Sequence, residues 1–338
     1  MRIEQVDPRD DEAFGRWYAV LAAVEQDTRP GESGWTAQDQ REMAIAGSDE
    51  ATAAGELITL LLAVGTDGRD LGMGRMVLTT RDNLDRARVL VHVLPGERRR
   101  GVGTALLDDL LAQARAAGRS VAGTEVDEPE ALAGDSPAHH FLTRHGFDRA
   151  LLEVRRDLDV PVPSQVLADC LAHAGERATG YDVTAYSRRC PDHLLDARAA
   201  LGRAMSVMFP SGDLELEEEQ WDAALVRRKE AMFDRMGRVY WAAMALCDGE
   251  AVAFTELGVS SHAPDRAYQW DTLVLPEHRG RRLGLLLKAR VLAQLQTDSP
   301  ATRTVTTWNA TTNAPMIAVN ERLGFRTNGT LSTWQKRL

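Results

Sequence analysis

Residues 279–284, Arg-Gly-Arg-Arg-Leu-Gly, set two glycines among three arginines where a strand-like stretch gives way to a helix-like one. Glycines let consecutive backbone N–H groups turn toward one point, and a helix N-terminus adds partial positive charge there. The chemistry this predicts is capture of a phosphate or pyrophosphate. The stretch recurs 181 residues earlier, where Val93 matches Val274, Pro95 matches Pro276, Arg98 matches Arg279 and Gly103 matches Gly284. Downstream, His145-Gly-Phe147 answers Leu323-Gly-Phe325 at an offset of 178. One unit therefore occurs twice.

For such a loop to work, a strand must deliver it and a helix must follow. Ala267–Leu275 is β-branched, aromatic and apolar, Pro276 stops it, and Leu285, Leu286, Val291, Leu292 and Leu295 then recur at helical spacing. In the first copy Ala87–Leu94 is the entering strand, and Thr104–Ala117 is the helix, stopped by Gly118. Around them the patterns predict strand Arg2–Val6, helices Asp11–Glu25 and Thr36–Gly47, and strands Glu56–Val64, Gly72–Thr80 and Ser120–Val126. A short helix ending at Gly146 and a closing strand, Phe147–Leu158, complete the first copy. Two prolines within residues 159–164 mark a linker over 159–180, with a short helix at Gln165–Ala174. The second copy repeats the order: strand Tyr181–Tyr186, helices Asp192–Met208 and Glu215–Met236, and strands Val239–Cys247 and Ala251–Val259 before the loop and its helix. Strand Arg303–Asn309, a helix capped by Asn313 and stopped by Gly324, and closing strand Phe325–Leu338 follow.

At 338 residues the chain has room for two domains of ordinary size. Residues 1–160 hold 19 Arg and Lys against 29 Asp and Glu, while 161–338 hold 21 of each. An acidic body without a basic stripe argues against nucleic acid as a partner. No apolar run reaches the roughly 20 residues of a membrane span, and the N-terminus lacks the regions of a signal peptide. The expectation is a cytoplasmic protein without a membrane partner. Cys170, Cys190 and Cys247 are odd in number and scattered, and the eight His form no ligand spacing, so neither a disulfide framework nor a metal site is expected.

The order strand, two helices, three strands, phosphate loop with helix, strand, helix and closing strand, twice over, resembles the GNAT superfamily of acyl-CoA-dependent N-acyltransferases across nearly the whole chain. The family's loop, Arg/Gln-x-x-Gly-x-Gly/Ala, is matched in full by Arg98-Arg-Arg-Gly-Val-Gly103. Arg279-Gly-Arg-Arg-Leu-Gly284 departs once, with Arg282 where the first glycine is usual. The Gly-x-Gly-x-x-Gly of a dinucleotide fold and the Gly-Lys-Ser/Thr of a Walker loop are both missing.

The resemblance implies an α/β (α+β) fold of two domains, 1–158 and 181–338, each a mixed central sheet flanked by helices. It implies acetyl-CoA as cosubstrate, held in the second domain by Leu273, Val274, Arg279, Gly280, Arg281, Arg282, Leu283, Gly284, Asn309 and Asn313. The first domain would use Val93, Arg98, Arg99, Arg100, Gly101, Val102, Gly103 and Thr104. It puts an oxyanion-binding N–H near Thr272–Val274 and proton-accepting residues 9 or 11 positions before the loop Arg. Those positions are Trp270 and Tyr268 in the second copy, but Val89 and Ala87 in the first. A period of two would put Tyr268, Trp270, Thr272 and Val274 on one face, opposite Gln269 and Asp271. Glu256 and Asp271 are further base candidates, each equally readable as a solvated or paired carboxylate. Where the family often has a Tyr that protonates the leaving thiolate, the second copy has Asn320 and the first Leu142. Asn313 reads equally as a plain helix cap. The acidic run 213–220 would border the acceptor site and favour a cationic amine, or else simply begin a solvated helix.

The expected function is N-acetyl transfer from acetyl-CoA to the primary amine of a small molecule, by direct attack in a ternary complex. The second domain would be catalytic and the first degenerate, in a monomer or homodimer. The alternative is a non-catalytic acyl-CoA-binding or regulatory protein.

Overall fold

Apolar residues at helical or alternating spacing build the elements of this computed structural model, which describes residues 1–32, 34–48 and 55–338. In chain order they are β1 (Arg2–Val6), α1 (Asp11–Thr28), α2 (Ala37–Ala46), β2 (Glu56–Val64), β3 (Asp70–Thr79), β4 (Arg86–Val93), α3 (Val102–Ala116), β5 (Val121–Pro129), α4 (Pro137–Arg144) and β6 (Asp148–Asp159). There follow α5 (Ser164–Gly175), β7 (Asp182–Ser187), α6 (Leu195–Met208), α7 (Ala223–Arg235), β8 (Arg238–Cys247), β9 (Glu250–Ser260), β10 (Ala263–Val274), α8 (Leu283–Asp298), β11 (Thr304–Ala310), α9 (Ala314–Leu323) and β12 (Arg326–Arg337).

Two compact units divide the chain: Met1–Leu152 with Ser211–Leu216 and Thr330–Leu338, and Glu153–Pro210 with Glu217–Gly329. These units depart from the division expected at 158 and 181, and cross-strand pairing gives the reason. Residues Glu153–Asp159 of β6 pair antiparallel with Ala310–Thr304 of β11, which draws them into the second unit. The C-terminal residues complete the first unit, where Trp334 is buried and the Leu338 N–H donates to the Ser120 carbonyl at 2.8 Å. The expected linker is likewise part of the second core, with Val160, Val162, Leu167, Cys170 and Ala174 buried in it.

In the first unit the strands run β1-β2-β3-β4-β5, with the end of β12 beside β5; in the second they run β6-β11-β10-β9-β8-β7. One parallel pair lies inside each. β4 and β5 pair from Arg86 opposite Val121 to Arg88 opposite Gly123, and β10 and β11 from Arg266 opposite Thr304 to Tyr268 opposite Thr306. Each pairing stops there although the strands run on, leaving an opening at the end of the strand that feeds the loop. Helix α8 buries Leu283, Leu285, Leu286, Leu287, Leu292 and Leu295, each worth roughly 1.5–3 kcal/mol. That burial fixes the start of the helix beneath its loop. The other face of the second sheet packs Phe254, Tyr240 and Leu273 against Leu201 of α6 and Val226 of α7.

The sheets differ in the strand that feeds the loop. β3 and β4 keep register without a break from Gly72 opposite Val93 to Leu78 opposite Ala87. Between β9 and β10 the register jumps from Gln269 opposite Leu257 to Thr272 opposite Thr255, so β10 carries one extra residue. This is a β-bulge at Trp270–Asp271.

Helix α7 begins later than the expected Glu215. Asp222 caps it by accepting the Leu225 N–H at 2.6 Å. The preceding glutamates would repel one another at helical spacing, and they are held otherwise: Gln335 donates to the Asp213 carbonyl at 3.0 Å, and the Glu219 N–H donates to Ser206 Oγ at 3.0 Å. The acidic run is therefore not a helix start.

Candidate active site

Each loop is folded back on its strand by its leading arginine. Arg279 Nε donates to the Val274 carbonyl and Arg98 Nε to the Val93 carbonyl, both at 3.2 Å. Both loops then pass through two left-handed residues. These are Arg99 (φ 64°) and Gly101 (φ 84°) in the first, Gly280 (φ 78°) and Arg282 (φ 59°) in the second. Glycine and arginine have exchanged places while the backbone conformation is kept. A non-glycine residue in this region costs about 1–2 kcal/mol. Arg282 is held there by its guanidinium, which donates from Nη1 to the His173 carbonyl at 2.6 Å and to Glu176 Oε2 at 2.9 Å. Those acceptors lie at the C-terminus of α5, where a cation is favoured. Its charge therefore serves α5, and only its N–H belongs to the loop.

The N–H groups of residues 99–104 and 280–285 have no partner among the described residues, and neither α3 nor α8 has a side-chain N-cap. Consecutive orphaned donors around left-handed residues fit a pyrophosphate. A Cβ built on Gly284 would stand 3.8 Å from Thr272 Cγ2, leaving room. In the first unit a Cβ on Gly103 would stand 3.4 Å from the Phe141 ring, and Thr104 Oγ1 lies 3.2 Å from His145 Nε2. There the start of α3 is stapled to the residue after α4.

The bulge reverses the alternation of β10. Trp270 stacks on Phe233 of α7 with centroids 5.0 Å apart, and Leu273 joins the same core. Val274 packs on the α8 side, and Thr272 faces Gly284. The four residues expected on one face are thus split, because the extra residue shifts the pleat by one. Asp271, expected opposite Trp270, lies where Glu256 and Arg198 act on its charge.

That environment separates the two carboxylates. Glu256 is gripped by Arg198 at two points, Nε to Oε1 and Nη2 to Oε2, both 2.9 Å. Arg198 is itself buried, with its guanidinium 4.3 Å over Phe254 and 5.0 Å over Trp221. Asp271 is half-buried and has no hydrogen bond or ion pair to its carboxylate among the described residues. Burial, helped by repulsion from Glu256, pushes its carboxyl up to about 6. One carboxylate is neutralised by a partner; the other is poised near neutrality. Tyr268, three residues before Asp271, lies parallel to Trp308, with centroids 5.9 Å apart and 9° between the rings.

Asn320 is fully buried; its Oδ1 accepts from Lys288 Nζ at 2.6 Å and its Nδ2 donates to Asn309 Oδ1 at 2.5 Å. It therefore reaches the opening only through Asn309. Asn313 accepts the Met316 N–H at 3.3 Å and caps α9. Lys288 and Arg198 are functional candidates that sequence reasoning passed over. Lys288 stands four residues from both Gly284 and Leu292, on the buried stripe of its helix, and a charged residue on such a stripe is the signal that could have found it.

Cross-strand pairing also corrects the counterparts in the first unit. Tyr268 lies opposite Gly258 and Arg88 opposite Val77, so Arg88 is the counterpart of Tyr268, one residue on from Ala87. Arg75 stands where the second unit has Glu256, and its Nη1 donates to Gln40 Oε1 at 2.8 Å. The first unit keeps the N–H cradle without the carboxylate pair. Its nearby titratable groups include His92, pulled down to about 4 by burial and by Arg75 and Arg98, and Glu25, pushed up to about 7 chiefly by burial.

Comparison with known proteins agrees with this geometry. The model of the acetyltransferase (GNAT) family matches residues 205–325, and that of an acetyltransferase (GNAT) domain matches 59–149. A mycothiol acetyltransferase of Clavibacter michiganensis subsp. michiganensis is 30% identical over 275 residues, covering 79% of this chain and 76% of the relative. That of Clavibacter sepedonicus is 30% identical over 280 residues, with 79% and 77% covered. Among solved structures, a tandem GNAT protein from the clavulanic acid biosynthesis pathway matches with a TM-score of 0.80 at 25% identity, over 99% of this chain and 98% of that one. A GCN5-related N-acetyltransferase from Sphaerobacter thermophilus shares the fold, with a TM-score of 0.59 at 15% identity, over 99% of this chain and 95% of that one. The chain belongs to the GNAT acetyltransferase family. Within that family it is a tandem member, an acetyltransferase with two GNAT domains.

Proposed function

We propose that the second unit transfers the acetyl group of acetyl-CoA to the primary amine of a small acceptor within a ternary complex, and that the first unit does no chemistry. The observation that supports this most is the bulge in β10, which sets the unpaired Asp271 beside the end of the β10–β11 pairing. Acetyl-CoA supplies an activated thioester. The free N–H groups of residues 280–285 bind its pyrophosphate, and β10 N–H groups within 272–274, beyond the last pair with β11, receive the developing oxyanion. The amine lone pair attacks the thioester carbon; the C–N bond forms, the C–S bond breaks and its electron pair leaves on sulfur. The amine proton passes to the Asp271 carboxylate, directly or through one water. The Arg198–Glu256 pair holds that side of the site rigid rather than taking the proton.

The test is release of free thiol from acetyl-CoA across a panel of primary amines, with mycothiol-related amines first because of the name its relatives carry. Amine-dependent release with intersecting initial-rate lines supports direct transfer. Parallel lines would indicate an acetylated enzyme instead. Binding of acetyl-CoA without turnover by any amine would favour a non-catalytic acyl-CoA-binding protein.

A further inference from the structure

Lys288 is 1% exposed, a lysine in the interior of the second unit. Its Nζ has one hydrogen-bond acceptor among the described residues, Asn320 Oδ1 at 2.6 Å, and lies 5.2 Å from the centroid of the Phe325 ring. It forms no ion pair among the described residues. Burial alone draws the ammonium down to about 7. An ammonium with three donors and one acceptor is costly in a core, and an apolar side chain of the same length would serve the fold better. The matching position of the first unit is filled by Leu107. The lysine is thus not a requirement of this fold.

What it touches indicates a use. Asn320 is 0% exposed and passes the contact outward, its Nδ2 donating to Asn309 Oδ1. Asn309 stands on β11 three residues past Thr306, the last residue paired with β10, where the two strands have parted. Its own Nδ2 has no partner among the described residues. Lysine Nζ, amide and amide therefore form one hydrogen-bonded chain from the buried Lys288 to the half-buried Asn309, each donor directed away from the lysine. In the first unit the chain is broken, with leucines at 107 and 142.

We propose that Lys288 is a positioning residue for the leaving group: through Asn320 it holds the Asn309 amide so that its free N–H stabilises the thiolate that acetyl transfer releases. This rests on the acetyl-CoA reading of the second unit. The C–S electron pair stays on sulfur, and no proton travels along the chain, since each amide donates a hydrogen bond and keeps its hydrogen. The thiolate leaves ionised, and the amine proton goes to Asp271.

The experiment titrates the thiol of bound CoA by its thiolate absorbance, on the full-length protein and on Lys288→Met, with calorimetric affinity and melting temperature measured alongside. CoA binds both proteins with similar Kd, and its thiol ionises roughly one pH unit lower on the unmodified protein. The variant melts at the same or a higher temperature, whereas a merely structural lysine would lower it. With an accepted amine, kcat falls roughly 10- to 100-fold at unchanged KM for acetyl-CoA, as for a contact made after binding. Asn309→Ala, with its fold checked by circular dichroism because Asn320 Nδ2 loses its acceptor, shifts the thiol in the same direction. Asn320→Leu adds little to Lys288→Met, because both break one chain. Equal thiol ionisation on the unmodified protein, Lys288→Met and Asn309→Ala overturns the proposal while leaving the acetyl-CoA reading intact. Failure of CoA to bind the unmodified protein overturns that reading and the proposal with it.

Discussion

Asp271 is a carboxylate whose usefulness comes from what is withheld from it. Glu256, nearby, has an arginine on both oxygens, while the Asp271 carboxylate has no hydrogen bond or ion pair among the described residues and its pKa is raised to about 6. In the general-base role proposed for it, Asp271 must be ionised in the free enzyme, so kcat/KM rises with pH through about 6 and then levels. Asp271→Asn removes that limb and lowers turnover by roughly 10²–10⁴-fold; a pH–rate profile of both proteins checks this. The same shift has a stability consequence. The folded state holds its proton up to about 6, whereas the usual value is 3.8. Between those values the folded state carries more protons than the unfolded one, so stability falls as pH rises through that window. At pH 7 Asp271→Asn therefore stabilises, by on the order of 1–3 kcal/mol, a rise in melting temperature that accompanies the loss of activity. Tyr268→Phe keeps the ring parallel to Trp308 and leaves turnover within about tenfold, below the usual loss for a general base; a larger fall in steady-state assays would return the proton-accepting role to Tyr268.

At the level of elements, the loops were the most legible feature, because glycine, arginine and proline at fixed offsets encode backbone geometry directly. The exchange of Arg99 and Gly101 for Gly280 and Arg282 was visible as letters, but not as two left-handed residues conserved in place. What decides that is the docking of Arg282 on α5, a contact 109 residues distant in sequence. Arg282→Gly removes strain of about 1–2 kcal/mol and an interaction with a helix terminus of about 0.3–1 kcal/mol. The melting temperature then changes little, and the acetyl-CoA Kd stays within about threefold, since the guanidinium points to α5; a tenfold weaker Kd by calorimetry would put that side chain on the cofactor. The bulge was not legible. Alternation along 268–274 reads smoothly, and the extra residue exists only relative to β9, so it moved Asp271 to the face of Glu256 against expectation. Asn313, by contrast, serves as the cap that its place before Pro315 had allowed.

Across the whole molecule the repeat identified two similar units, yet it misplaced their edges. Residues Glu153–Asp159 and Thr330–Leu338 belong to the units they pair with rather than to those they follow, because hydrogen-bonded ladders are indifferent to distance along the chain. Duplication also left the units unequal. The first has Arg75, Leu107 and Leu142 where the second has Glu256, Lys288 and Asn320. A cradle alone supplies binding, while rate depends on groups that act in the transition state. The most direct test is therefore acetyl-CoA turnover by Gly284→Asp and Gly103→Asp. Each substitution puts a carboxylate among the N–H groups of one loop, at positions where a Cβ meets its neighbours at 3.8 Å and 3.4 Å and so fits without backbone movement. With both variants folded by circular dichroism, Gly284→Asp abolishes thiol release and Gly103→Asp retains most of it. The reverse pattern would show that the first unit is the enzyme.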